Sequence, residues 1–156
     1  MMFFNIKTWY DGRLYDSKLE ARYAEKLAWQ KARGEIRDVE PQVKFPLFLN
    51  GVKDCDHIAD FVVTHTNGKK EVHEVKGREE PKWLRKLSLF VENYPQYPYI
   101  TVKDNRGRFA YFSSAEILDR AGLVSLKSSL PPKKQYAWWE VALSGIVHHL
   151  AALFFD

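Results

Sequence analysis

Two short segments carry the residues best suited to chemistry: Ile58-Ala59-Asp60-Phe61-Val62-Val63, and Glu71-Val72-His73-Glu74-Val75-Lys76-Gly77. An aspartate on one strand, a hairpin turn and Glu-x-Lys on the next strand can bring two carboxylates and one ammonium to one sheet edge. Such carboxylates hold a divalent cation, and cation and ammonium together position a water against a phosphate and offset the charge that develops there. The tripeptide pattern alone says little, because acid-x-Lys also occurs at Asp16-Ser17-Lys18 and Glu80-Pro81-Lys82. Only Glu74-Val75-Lys76 lies in a strand-like run, where the competing reading is an exposed surface ion pair.

Asp60 changes the weighing. Phe61 and Val63 point to one face of its strand and Ile58 and Val62 to the other, so both faces read as apolar. A carboxylate in such a covered strand is costly unless it pairs or holds a metal. Asp54 and Asp56 compete for the ligand role but lie outside the apolar run.

Register attaches a condition to this reading. A two-residue turn at Asn67-Gly68 would set Asp60 opposite Val75, on the wrong face to join Glu74 and Lys76. A three-residue loop or a bulge, with Gly68 left-handed after a type I turn, shifts the pairing by one so that Asp60 meets Glu74 or Lys76.

The elements that must position these residues follow from periodicity and punctuation. Ser17-Lys18-Leu19-Glu20 has capping-box form and opens a helix over Ser17 to Arg33, closed by Gly34. Val43 to Leu49 alternates as a strand, with Pro46 pointing to an edge or a bulge, and Asn50-Gly51 turns the chain into a second strand from Ile58 to Thr64. Glu71 to Lys76 is the third strand, and Pro81 starts a second helix with Trp83, Leu84, Leu87, Phe90, Val91 and Tyr94 on its apolar face. Tyr99 to Lys103 then lies parallel to the third strand after the helical crossover. Phe109 to Phe112 forms a fifth strand, and a short helix from Ser113 or Ser114 to Gly122 repeats the capping-box spacing with Glu116. The expected class is α/β, with an α-β-β-β-α-β order and a mixed central sheet flanked by helices.

Residues 1–124 read as one core domain, 125–135 with Pro131-Pro132 as a linker, and 136–156 as a C-terminal apolar helix. Trp139, Leu143, Ile146, Val147, Leu150 and Phe154 fill one face of that helix, which suits packing or a homodimer interface. Glu140, His148 and His149 oppose a membrane span.

At 156 residues the chain is long enough for a core without disulfides, and Cys55 is its only cysteine, which fits a reducing cytoplasm. No apolar stretch of signal-peptide length follows Met1. A net charge of +4 and a pI near 9.1 favour a polyanionic partner such as nucleic acid. Lys69 and Lys70 in the turn, with Arg78, Lys82, Arg85 and Lys86 around the second helix, are candidate phosphate contacts; the same spacing suits a solvated helix face. Cys55, His57 and His73 lack the paired spacing of a structural zinc site, and the absence of a Gly-rich phosphate loop leaves a nucleotide cofactor without support.

Glu20, Asp60, Glu74 and Lys76, in this order of elements, resemble the PD-(D/E)XK nuclease superfamily over roughly Ser17 to Lys103. Ser17-Lys18-Leu19-Glu20-Ala21, Glu40-Pro41-Gln42, Ala59-Asp60-Phe61 and Glu74-Val75-Lys76-Gly77 are similar to small phage-encoded nucleases related to Holliday-junction resolvases. Ala59 stands where the superfamily's often-absent proline would be, and the tail after Gly122 has no counterpart in the shared core. The resemblance implies a restriction-endonuclease-like core. It also implies a Mg²⁺-dependent endodeoxyribonuclease, with Mn²⁺ able to substitute, acting as a homodimer on branched DNA in a bacterial or phage-infected cytoplasm. A nuclease of linear or single-stranded DNA, or an inactive DNA-binding module, is the alternative. Asp60, Glu74 and the Val75 carbonyl would ligate the cation, Lys76 would orient or activate the attacking water, and Gln42 would help align the site. Glu20 would bind metal through water or complete a second metal site; its competing role is the capping box with Ser17.

Overall fold

Ser17 caps the first helix as its spacing predicts: its Oγ accepts from the Glu20 N–H at 3.1 Å, and α1 runs Lys18–Ala32. The computed structural model describes residues 6–123. Before α1 stands a hairpin not expected from the sequence, β1 (Thr8–Tyr10) and β2 (Arg13–Tyr15), closed by Asp11-Gly12 with both turn residues left-handed.

After α1 come β3 (Ile36–Leu49), β4 (Val52–His65), β5 (Lys70–Val75), α2 (Pro81–Asn93), β6 (Tyr99–Asn105), β7 (Arg108–Ser113) and α3 (Ser114–Arg120). The last five strands form one mixed sheet in the order β3-β4-β5-β6-β7, with β5 and β6 parallel and the other pairs antiparallel. The chain is thus α/β, and a mixed sheet flanked by helices is present as expected. β3 and β4 are each much longer than expected, and Pro46 is accommodated because β3 is an edge strand.

Each sheet face buries its own core. Tyr23, Ala24 and Leu27 of α1 cover Ile36, Phe61, Val63, Val75 and Val102, while α2 and α3 cover Phe45, Leu47, Ala59, Val62, Val72 and Tyr99. Phe61 and Val62 thereby face opposite ways, as expected. Ile58 does not join the apolar face assigned to it: it is 49% exposed, because β3 and β4 run on as a two-stranded arm past the end of β5.

The β4–β5 turn meets the register condition. The His65 N–H donates to the Lys69 carbonyl and the Gly68 N–H to the His65 carbonyl, leaving a three-residue loop, Thr66-Asn67-Gly68. Gly68 is left-handed at φ 83° and Asn67 is not, the mark of a type I turn closed by a glycine bulge. Pairing then runs from Thr64↔Lys70 to Phe61↔His73, and the next level sets Asp60 beside Glu74.

The expected linker and C-terminal apolar helix lie outside the described residues. Among the described residues no helix is long and apolar enough to cross a membrane.

Candidate active site

Four elements deliver five charged or polar groups to a single level of the sheet, β5 and the residue after it supplying two. The three-residue loop fixes Asp60, whose Oδ2 accepts from the Val75 N–H at 2.8 Å. Glu74 and Lys76 follow at alternate positions and pair with each other, Nζ to Oε1 at 2.8 Å. Glu20 reaches over from the first turn of α1, and Gln42 Nε2 donates to its Oε1 at 3.1 Å. The capping box is therefore only half used: Ser17 caps, while the Glu20 carboxylate turns into the site.

Gln42 holds this place at a backbone cost. Its φ of 56° is left-handed, unusual for a non-glycine residue, and the β3–β4 pairing skips the Gln42/Asp60 level between Pro41↔Phe61 and Val43↔Ala59. Across that level the odd-numbered residues change sides: Val43, Phe45 and Ala59 pack beneath α2, whereas Val39, Phe61 and Val63 pack beneath α1. The interruption is what lets Asp60 project where neither core needs it.

Electrostatically the cluster is unbalanced. Glu20 and Glu74 are 6% and 3% exposed. Burial raises the Asp60 carboxyl to about 8, helped by Glu74 and Glu20, against the Val75 hydrogen bond and Lys76. Burial also raises Glu74 despite Lys76, and raises Glu20 with help from Asp16 and Glu74. Burial alone would lower Lys76, but Glu74 and Asp60 outweigh it and hold the ammonium above its ordinary value. Three carboxylates thus face one ammonium. Fully ionised they carry two negative charges in excess, the charge of one divalent cation. Glu74 Oε2 is buried without a well-formed hydrogen bond, and the nearby Tyr99 hydroxyl and Asp60 N–H only partly offset the burial of its carboxylate, a second sign of an incomplete shell.

Among the described residues no group of three or more His, Cys, Asp or Glu side chains is arranged to hold a metal ion. Each carboxylate here already has a local partner in Val75, Lys76 or Gln42. Mg²⁺ asks for less than a full protein cage: one or two carboxylates suffice, with waters and substrate phosphate completing the octahedron. Asp60 and Glu74, with the Val75 carbonyl, fit that donor set.

The competing acids are spent elsewhere. Asp54 is held well down by two short bonds from Arg85, and Asp56 by Lys53. Of the candidate phosphate contacts, Lys70 pairs with Glu40, Arg85 with Asp54, and Lys86 donates to the Asp56 carbonyl. Lys69, Arg78 and Lys82 are free of such bonds among the described residues. His57 and His73 lie on opposite faces, against Tyr99 and Tyr23 respectively, which removes a zinc site shared with Cys55.

Two features were not foreseen. Behind Glu74 lies a buried layer in which Tyr99 OH and His57 Nε2 are 3.0 Å apart and the Trp83 ring lies 5.7 Å from Lys76 Nζ. Burial, with Lys86 and Lys76, lowers His57 to about 4, so its 3.7 Å approach to Glu74 Oε2 is not an ion pair at neutral pH. A cleft of about 410 Å³ opens on the α1 face, lined by Lys26, His65, Glu71, His73 and Tyr111 among others, and none of the four charged site residues borders it. Tertiary contacts alone create both, so spacing carries no signal for them.

One solved structure similar to this chain is titled "Crystal structure of SSO0001"; it is 22% identical, with a TM-score of 0.40, over 69% of this chain and 55% of that one. The chain therefore spans about half the length of that structure. No curated protein matches. A family model described as "Protein of unknown function (DUF1064)" matches residues 3–105, and the chain belongs to that family.

Proposed function

We propose that this protein is a Mg²⁺-dependent endodeoxyribonuclease with a restriction-endonuclease-like core of the PD-(D/E)XK type, acting on branched DNA as a homodimer. One observation carries the reading: Glu20, Asp60, Glu74 and Lys76, distant in sequence, share one desolvated level of the sheet with carboxylate in excess. Surface ion pairs do not look like this, since a surface carboxylate has its pKa lowered by its partner and here all three are raised.

Asp60 and Glu74 would hold the cation, with the Val75 carbonyl beside them. When bound, Mg²⁺ supplies Lewis-acid polarisation of a phosphate oxygen and a more acidic water. The chain's own residues do the rest. Lys76, held as an ammonium, orients the water and offsets charge developing on the phosphate. Gln42 fixes the Glu20 carboxylate, which closes the site from the α1 side. The 29% exposed Lys76 side chain keeps the level open to a substrate too large for an enclosed pocket.

The test is incubation with Mg²⁺ and labelled four-way junction, nicked, linear duplex and single-stranded DNA, beside Asp60→Ala and Lys76→Ala. Paired cuts in the junction are expected. Cutting of linear or single-stranded DNA alone would keep the nuclease and replace its substrate, binding without cutting would leave a DNA-binding module, and cutting that survives Asp60→Ala would refute the site.

A further inference from the structure

Glu74 has two oxygens in different surroundings. Oε1 meets the Lys76 ammonium at 2.8 Å, whereas Oε2 points inward, is fully buried and lacks a well-formed hydrogen bond. The polar groups near the carboxylate are His57 Nε2, 3.7 Å from Oε2, and the Tyr99 hydroxyl, 3.0 Å from that nitrogen; the Asp60 N–H also approaches the carboxylate. His57 and Tyr99 are 3% and 2% exposed, and the Phe90 ring packs against both, so neither can turn to water.

Hydrogen bookkeeping restricts what this pair can do. A neutral imidazole carries one N–H and a phenol one O–H. If His57 Nε2 is bare, Tyr99 donates to it and Glu74 Oε2 faces a lone pair. If Nε2 carries the proton, the imidazole N–H and the Tyr99 O–H both become donors at the level of Oε2, within a small adjustment of the 3.7 Å gap. Only the second arrangement supports a carboxylate, and cation binding requires Glu74 in that form.

We propose that His57 and Tyr99 are a positioning pair that presents the Glu74 carboxylate to a divalent cation by donating to Oε2 from behind, leaving Oε1 to turn from Lys76 to the metal. The inference rests on the cation site proposed above. It assigns a task to two residues that lie 42 positions apart and touch no substrate.

Mn²⁺ alone is the probe, titrated calorimetrically into full-length protein whose folding is checked by thermal melting. Tyr99→Phe keeps the ring and removes the hydroxyl; His57→Leu removes the donor, and His57→Gln restores an N–H near the same place. Tyr99→Phe and His57→Leu are expected to weaken Mn²⁺ binding by about 10-fold or more, the usual scale for an outer-shell partner, with His57→Gln within about 3-fold of wild type. A merely structural role would lower the melting temperature and leave the affinity of the folded protein unchanged, and that result overturns the proposal. Glu74→Gln separates the two levels of inference. If it abolishes binding while Tyr99→Phe and His57→Leu bind as wild type does, the positioning role fails and the site stands. If wild type binds no Mn²⁺, or Glu74→Gln binds it unchanged, the site itself fails.

Discussion

Glu71 and Glu74 stand three residues apart on β5, on opposite faces of the sheet, and their charges are treated in opposite ways. Glu71 lies between two imidazoles, with His65 Nε2 at 3.0 Å and His73 Nε2 at 3.2 Å from its Oε2, and Tyr23 OH steadies His73 from its far side at 2.8 Å. Burial would raise its pKa, but bonds from His73 and His65 bring it below the ordinary value. Glu74 is the more deeply buried of the two; Lys76 pairs with it and the Asp60 N–H and Tyr99 hydroxyl also favour its charged form, yet burial dominates and its pKa stays raised. Two imidazoles meet the Glu71 carboxylate within the chain, while Glu74 has room for a positive charge that the chain does not supply. On one strand, then, a carboxylate lowered by its neighbours and one raised by burial set structural electrostatics apart from the proposed site.

Substitution should split the clusters around the two glutamates most sharply in catalysis. Asp60→Ala is expected to lower cleavage by about 10³-fold, the loss when several kcal/mol of metal-supplied charge stabilisation disappears, and Lys76→Ala by at least about 100-fold. Glu71→Gln should stay within about 3-fold of wild type. Single-turnover assays on one DNA substrate check all three, and equal losses at Glu71 and Asp60 would erase the distinction.

Stability should move the other way. Asp60→Asn removes a buried carboxyl that the folded chain must keep protonated, yet keeps an oxygen for the Val75 N–H, so we expect the cation-free protein to gain about 1 kcal/mol near neutral pH. Glu71→Leu leaves His73 Nε2 without its acceptor and should cost about 1–2 kcal/mol. Urea denaturation without divalent ions measures both.

The pH dependence follows from the same shifts. Asp60 titrates near 4 in the unfolded chain and near 8 folded, so the folded state holds the extra proton and cation-free stability falls as pH rises through that window. His57, lowered by burial from 6.5 to about 4, gives the opposite slope, but only below about 6.5. Between pH 6.5 and 8 the carboxylates act alone, and melting temperature should fall with rising pH in EDTA and flatten or rise in Mg²⁺, because binding competes with protons. An unchanged slope with Mg²⁺ would count against the site. The smallest effect is expected from Ser17→Ala, about 1 kcal/mol of stability with cleavage nearly unchanged, since Gln42 rather than the cap holds the Glu20 carboxylate.

How far the site was legible in the sequence depends on the range of each interaction. The Asn67-Gly68 turn could be posed as a question of register because a glycine turn and period-2 alternation are local, and Gly68 answers it in the left-handed region. Capping at Ser113 and Glu116 was legible for the same reason, and both bonds are made. The β1–β2 hairpin had a usable signal in Asp11-Gly12, but its strands of three residues are too short to show alternation. The long β3–β4 arm was not legible, since Lys53, Asp54 and Asp56 look like loop residues until Arg85, Lys53 and Lys86 are seen to hold that arm together and against α2. His57 and Tyr99 come together only through the sheet order and α2, which no spacing encodes.

Central to this account is a divalent cation at Asp60 and Glu74 and not at Glu71. Anomalous diffraction from crystals soaked in Mn²⁺ locates it directly. The account predicts a peak within roughly 2.0–2.6 Å of carboxyl oxygens of Asp60 and Glu74. A peak among His65, Glu71 and His73, with none at Asp60, would contradict it.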